Sequence, residues 1–523
     1  MLPLASQNSL VIELKETEMI KPVEWATSLE LLPDKAVHDI HEASLQIMEH
    51  TGLIMPLNRE KQEEACDLGL HVERETDRIR FPPEIIEAAI EKAPSSYTLF
   101  ARKPENDILL DGRYGYLGLD GSGTLILDLE TGAVHNSTKA DLQTIAQIAD
   151  ALPQISFLWP AISAQDYPAR VQPLHELEAL LNHSSKHVQA MTAVDALNAR
   201  GTVEIAAEVV GGREKLRARP IISNFQCSVS PLSYNKDSLE AAYIFGKAGI
   251  PVGFLCMSIG CASAPATVAG SAALANAEVL AGITLFQLFY PGVPTFYGSS
   301  ATMMELRSGG ITSGGPEDFL LQAAACQLAR FYGVPASIGT FATCAKTSNW
   351  HAGVENAISG AVSQFTGADM MCGAGLLHGA RIFSFEQLLM DCEIYDMLRS
   401  AAQGFVVNEG TLALDIIQQT GPKNHFLTSD HTLEYMGQIW QPTIIDRRSS
   451  WDDWVAKGRP SPHDQAREMV RQFFAPQQQT TQFEYHNRRQ ATSAAKQFLS
   501  NYEPEPLACS ERIGEIIATY EIM

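Results

Sequence analysis

Basic side chains are the scarce class in this chain: 38 Lys and Arg stand against 61 Asp and Glu, a formal net charge of −23. Recognition of nucleic acid needs a basic patch or stripe, and anionic membrane surfaces attract clustered Lys and Arg, so neither partner is expected. Cysteines number nine, an odd count scattered from Cys66 to Cys509, and no CxxC pair occurs. The closest two, Cys256 and Cys261, lack a usual zinc-ligand spacing. Scattered thiols of this kind predict a reducing compartment and not a disulfide framework. A basic start followed by an uninterrupted apolar core is also missing, because Glu13, Lys15, Glu16 and Glu18 break up the N-terminus. The most apolar long stretch, 268–290, carries Asn276, Glu278 and Gln287 and stops at Pro291, so it reads as a buried helix and not as a membrane span. These absences predict a cytoplasmic chain. The Asp120-Gly121-Ser122-Gly123 run lacks the third glycine of a dinucleotide-binding loop, which favours a barrel over an open nucleotide-binding sheet.

What is present fits a well-packed enzyme: 523 residues, 45% hydrophobic and 19% charged. In 35–50, Val37, Ile40, Leu45 and Met48 recur at helical spacing and Gly52 stops the helix. From Tyr114 onward the rhythm changes to an apolar run followed by a helical pattern. The runs are 114–120, 155–162, 187–194, 220–229, 251–260, 295–303, 336–345 and 368–377. Their continuous apolar character suits parallel strands buried on both faces, and eight such units predict a (β/α)8 TIM barrel whose site lies at the C-terminal strand ends. Segment 124–129 is expected to pair with 114–120 around the Gly121/Gly123 turn. The predicted organisation is an N-terminal helical cap over 1–110, the barrel over 111–400, a C-terminal cover over 401–475, and a linker with a helical arm over 476–523. Such an arm is expected to pack on a neighbouring subunit or on its own barrel, and a homo-oligomer is expected.

Several blocks occur in a characteristic order. They are His50-Thr51-Gly52; Phe81-Pro82-Pro83 with Ala93-Pro94 and Ala101-Arg102; the Asp120 to Gly123 run; Tyr297-Gly298-Ser299; Thr312-Ser313-Gly314-Gly315-Pro316-Glu317; Trp350-His351-Ala352-Gly353-Val354-Glu355; and Asp446-Arg447 with Trp454. In these blocks the chain resembles the trimethylamine methyltransferase superfamily, in its pyrrolysine-free branch typified by glycine betaine:corrinoid methyltransferases. The resemblance implies a barrel that passes a methyl group from a methylated amine to the corrinoid (cobalamin) of a separate corrinoid protein, with no tightly bound cofactor of its own. Members acting on trimethylamine carry pyrrolysine near the seventh strand, whereas this chain has standard residues only and reads Thr347-Ser348-Asn349-Trp350-His351 there.

The chemistry explains why that difference matters. A quaternary amine that loses a methyl group leaves as a neutral tertiary amine and needs no proton. Trimethylamine leaves as a poor anion unless it is activated. A pyrrolysine-free enzyme is therefore expected to take a quaternary amine such as glycine betaine, with proline betaine, carnitine, choline and trimethylamine as alternatives. Such a site supplies orientation and aromatic faces, worth about 0.5–2 kcal/mol each to a desolvated cation. Aromatic candidates at strand ends are Tyr116, Trp159, Phe225, Tyr297, Phe341 and Trp350, of which Phe225, Tyr297, Phe341 and Trp350 are taken as substrate-binding, together with Asn349 and His378. His351 and Glu355, four apart on one helix face, are the catalytic candidates. Asp120 reads as a turn-former. Arg307, Lys346 and Arg381 lie beyond strand ends and are candidate anchors for a carboxylate. Cys227, Cys256, Cys344 and Cys372 fall near four strands, but no His or Glu stands at helpful spacing, and no metal is expected. Two other functions stay open: a barrel lyase or aldolase, for which Lys346 is the Schiff-base candidate, and a non-catalytic binding subunit.

Overall fold

The computed structural model describes residues 20–26, 28–474 and 507–523. Its centre is a closed barrel of eight parallel strands: β1 Tyr114–Leu119, β2 Ile155–Leu158, β3 His187–Gln189, β4 Ile222–Cys227, β5 Val252–Cys256, β6 Tyr297–Ser299, β7 Ala336–Gly339 and β8 Met370–Ala374. Closure is made by β8 on β1, where Met370 pairs with Tyr116 and Cys372 with Gly118. After each strand comes a helix of the outer ring: α1 Lys139–Ala151, α2 Gln172–His183, α3 Ala196–Val210, α4 Lys236–Ala248, α5 Val268–Phe289, α6 Pro316–Phe331, α7 Trp350–Thr366 and α8 Phe385–Ala402. The eight apolar runs read from the sequence are these eight strands, and the fold is a TIM barrel.

Local chemistry sets the helix ends. Thr138, Asp195, Thr267 and Ser384 accept backbone N–H bonds in the first turns of α1, α3, α5 and α8, satisfying donors that have no partner inside the helix. Pro316 opens α6, and the Asp318 carboxylate accepts from the Gly315 N–H. Helix α5 is the one described helix long and apolar enough to cross a membrane, and it is buried inside the protein. Its Glu278 accepts hydrogen bonds from Ser228, Ser230, the Leu232 N–H and Cys256, which ties the loop after β4 to the outer ring.

The N-terminal segments close the lower end of the barrel. Val23–Glu24 pairs with Gly115 and Tyr114 at the start of β1. The hairpin of Tyr97–Leu99 and Ile108–Leu110 lies under the strands: Leu109 N–H donates to Tyr116 Oη, and the Phe100 carbonyl is 2.7 Å from His187 Nδ1. Burial holds the His187 ring down at about 4, so it is neutral there. After α8, helix α9 Pro462–Phe474 packs on α8 through Arg467, whose Nε is 3.1 Å from Glu386. Helix α10 Ser510–Ile522 buries Ile513, Ile517 and Tyr520 and packs against α2 and α3 of the same chain. The predicted linker after Ala475 lies outside the described residues.

Three boundaries differ from the sequence reading. Segment 295–303 divides: Tyr297–Ser299 stays in the barrel, while Thr302–Glu305 joins a separate sheet with Ile259–Gly260 and Gly310–Ile311. Segment 368–377 breaks at Gly375, whose φ of +92° turns the chain out of the barrel before Leu376–Leu377. Leu125–Leu127 does not pair with β1; it pairs with Val134–Asn136 and Ile382–Phe383 in a small sheet over the upper rim, so the Asp120 to Gly123 run is a crossing to the rim and not a hairpin turn.

Candidate active site

Strand parity and register identify the inward side chains. Gln189 Nε2 lies 3.4 Å from Met370 Sδ on β8, three strands away, so both face the lumen. Met370 pairs with Tyr116, and alternation along β1 then places Gly118 and Asp120 on the same face. Phe157 is in register with Gly118 and with His187, which makes Trp159 the next inward position on β2. The Trp159 ring is 4.8 Å from Phe225 of β4, and Phe225 is 6.4 Å from Phe296. Gly121 is needed at this point: a Cβ there would stand 2.4 Å from Met191 Sδ and 3.3 Å from the Trp159 ring.

The upper lumen is thus an aromatic and thioether wall with one carboxylate in it. Asp120 is partly buried, and among the described residues its hydrogen bond comes from the Gly121 N–H at 2.9 Å. Burial pushes its carboxyl up to about 6 against that single opposing bond. Two further polar atoms of the lumen wall, Trp159 Nε1 and Gln189 Oε1, are buried without a hydrogen-bond partner among the described residues. Such groups are costly unless a ligand or water serves them.

A second group lies on the rim above β7 and β8. Asn349 caps α7, its Oδ1 accepting from the His351 N–H at 2.9 Å. Next to it Trp350 is 82% exposed. His351 Nε2 is 2.8 Å from Glu355 Oε1, while Glu355 Oε2 accepts from Thr343 Oγ1 and from the Cys344 N–H at 3.0 Å. His378, at φ +55°, donates its N–H to the Ala345 carbonyl at 2.8 Å, and the Gly379 N–H donates to the Thr343 carbonyl at 2.8 Å. The loop after β8 is thereby fastened to the loop that carries Thr343 and Cys344. Burial, then the charges of Lys346 and Arg381, hold the His378 ring below its ordinary value. The Arg381 carbonyl accepts from Thr124 and Leu125 N–H at 3.3 and 3.2 Å, which brings this cationic rim close to the Asp120 crossing.

The structure separates the predicted site residues into three sets. Phe225 faces the lumen. Asn349, Trp350, His351, Glu355 and His378 gather on the rim of β7 and β8, with Asn349 serving as a helix cap. Tyr297 and Phe341 belong to neither place, which corrects the reading of both as strand-end aromatics open to a ligand. The Tyr297 hydroxyl donates to Asn276 Oδ1 of α5 at 3.1 Å and its ring stacks near Tyr332, so it fills the layer between strands and helices. Phe341 is fully buried, and its ring lies where a Cβ on Gly360 of α7 would stand 3.0 Å away. Asp120, read from the sequence as a turn-former, is the residue that reading undervalued; the alternation Tyr116, Gly118, Asp120 is the signal that points it inward.

The four strand-end cysteines do not converge. Cys256 donates outward to Glu278, Cys372 faces Ser337 in the lumen, and Cys344 lies against the Ile311 and Thr312 carbonyls. Burial pushes Cys227 and Cys256 up to about 12, so both are thiols. Lys346 is exposed on the rim, its Nζ donating to the Cys344 carbonyl at 2.7 Å. The fully buried Lys186 points away from the lumen to the Ala149 and Leu152 carbonyls at the end of α1.

With this geometry in hand, similarity to known proteins can be weighed. The family described as trimethylamine methyltransferase (MTTB) matches residues 7–507. Trimethylamine methyltransferase MttB of Desulfitobacterium hafniense (strain DSM 10664 / DCB-2) is 32% identical over 475 residues, 91% of this chain and 90% of its own length. Glycine betaine methyltransferase of Desulfitobacterium hafniense (strain Y51) is 32% identical over 432 residues, 81% of this chain and 88% of its own. Trimethylamine methyltransferase MttB of Methanosarcina thermophila is 32% identical over 435 residues, covering 82% and 89%. Relatives named for different substrates match at the same identity, so identity does not choose between those substrates.

Proposed function

The chain belongs to the trimethylamine methyltransferase family and is a methyltransferase, and we propose that it moves a methyl group from a quaternary amine, glycine betaine first, to the reduced corrinoid of a separate carrier protein. The observation that carries this reading is the upper lumen, where one carboxylate, Asp120, stands in a wall of Trp159, Phe225 and Met191. A quaternary ammonium group is a bulky cation with no N–H to donate. Aromatic faces and a single counter-charge suit it, and a network of hydrogen-bond acceptors does not. The ionised Asp120 would hold the cation, and Trp159 and Phe225 would orient it and exclude water, so that one methyl group faces the mouth. Because the leaving amine is neutral, the site needs no proton donor at that point. Lys346 and Arg381, which flank His378, supply positive charge on the rim for the carboxylate of a betaine; choline has no carboxylate to meet it. His351, steadied by Glu355, is assigned to the same rim contact.

The acceptor must reach the mouth, and the rim fits a flat, largely apolar macrocycle. Val194, Val229, Met257, Leu306 and Trp350, on the loops after β3 to β7, are all exposed. The reduced cobalt of the carrier supplies the nucleophile when it is bound there; the residues of this chain bind, orient and shield the amine.

The test mixes the full chain with reduced corrinoid protein and a candidate amine and follows the corrinoid absorbance. Glycine betaine is expected to give the spectral change of methylation and trimethylamine to give none. Absence of any change with glycine betaine, proline betaine, carnitine and choline would sink the proposal.

A further inference from the structure

The chain that leaves α8 makes an excursion before it returns to the barrel. Between Gly404 and Thr443 it forms the helices Glu409–Leu412, Leu414–Thr420 and Asp430–Tyr435 and the turn Met436–Gln438, and none of these has a buried residue. The helices are well formed, with Asn408 and Ser429 accepting from the Thr411 and Thr432 N–H groups at 2.9 and 3.2 Å. Their side-chain hydrogen bonds close within the excursion. The chain is anchored again where the Thr443, Ile444 and Ile445 N–H groups donate to Glu393 of α8.

This well-ordered backbone presents its apolar side chains to solvent. Phe405 is 88% exposed and Leu427 79%, and eleven large apolar residues in 405–439 are exposed in all. With roughly 150–250 Å² for a large side chain, that is on the order of 1,000 Å² of apolar surface per chain, well beyond the few hundred Å² of the largest patch on a typical monomer. Charge is sparse there: Glu409, Asp415, Asp430 and Glu434 with Lys423. A surface of this kind selects an apolar partner and not a charged one.

Its position narrows the partner further. Helix α8 runs from the mouth back to the lower face, where the Ala402 carbonyl accepts from the Ala26 N–H at 3.2 Å, beside the strand that pairs with the first residues of β1. The excursion therefore starts on the face opposite Asp120, and a carrier that must bring its corrin to the mouth is not served from there. We propose that residues 405–439 are the surface on which a second copy of this chain docks, as a symmetric pair that leaves both mouths open. Two such surfaces together bury on the order of 2,000 Å², the range of permanent homodimers, and a two-fold pairing lets one apolar face cover its own likeness.

Sedimentation velocity on the full chain tests this. The wild type is expected to sediment as a dimer, and the double variant Phe405→Glu/Leu427→Glu as a folded monomer with the dissociation constant raised about 100-fold. Both side chains are exposed, so the fold is not at stake; the thermal melt of the variant checks that. As a second measurement, amine cross-linking of a mixture of light and heavy-nitrogen chains is expected to join Lys423-containing peptides of both labels. A monomeric wild type, a dimer that survives the double variant, cross-links confined to one label, or association seen only after a corrinoid protein is added would each overturn the proposal.

Discussion

At the residue scale, Asp120 is the position where stability and function oppose each other. Its carboxyl is raised from 3.8 to about 6 by burial. The folded value lies above the unfolded one, so the protonated form is the one the fold prefers. That contribution is fully present below about pH 3.8 and is lost as pH rises to about 6; above it the ionised carboxylate costs about 2–3 kcal/mol at most. Asp120→Asn is therefore expected to raise the melting temperature at pH 7.5, to leave it nearly unchanged at pH 4, and to weaken quaternary-amine binding at least tenfold by calorimetry. Wild-type binding is expected to fall as pH drops below about 6. A variant that binds the amine as well as wild type would remove Asp120 from the site. The sequence hid this residue because Asp-Gly-Ser-Gly is also the signature of a turn. Tyr297 and Phe341 were misplaced for a related reason. The face a strand residue occupies flips with a one-residue change in where the strand begins, and barrel register is set by neighbouring strands that the linear pattern does not reveal.

At the scale of elements, the barrel strands were legible because burial on both faces leaves a continuous apolar run, and the helices because their caps and periodicity are local. The strand ends were not, since the rim loops stay apolar after the ladder stops. What the strands also needed was room inside. Gly253 of β5 is such a position: a Cβ there would stand 2.0 Å from the Phe296 ring. The ring is fully buried, so it has nowhere to move without shifting β6. Gly253→Ala is expected to destabilise by about 1–3 kcal/mol through overpacking, and adding Phe296→Leu is expected to recover part of that loss in urea melts. If the single variant were neutral, or if the second substitution made matters worse additively, the inward packing of these two strands would be misjudged. The same argument applies to Gly118, whose Cβ would meet the Phe157 ring at 2.3 Å.

At the scale of the whole molecule, charge and apolar surface set opposite demands on association. Two copies that each carry a formal −23 repel one another, and the excursion at 405–439 is the described region with enough exposed apolar surface to overcome that. Nothing in the sequence separated it from its surroundings: Val406, Leu412, Ile417 and Leu433 have the composition of an ordinary core, and exposure is a property of the fold. The balance gives a prediction with a definite sign. Raising the salt concentration from about 10 mM to 150 mM shortens the screening length from about 30 Å to 8 Å, which weakens the repulsion between acidic chains and leaves apolar burial nearly untouched. Association of the wild type, followed by sedimentation across this salt series at pH 7.5, is therefore expected to tighten as salt rises. An association built on ion pairs would respond in the opposite direction. Dissociation on adding salt would therefore place the contact on charged residues elsewhere on the surface and remove the excursion from the interface.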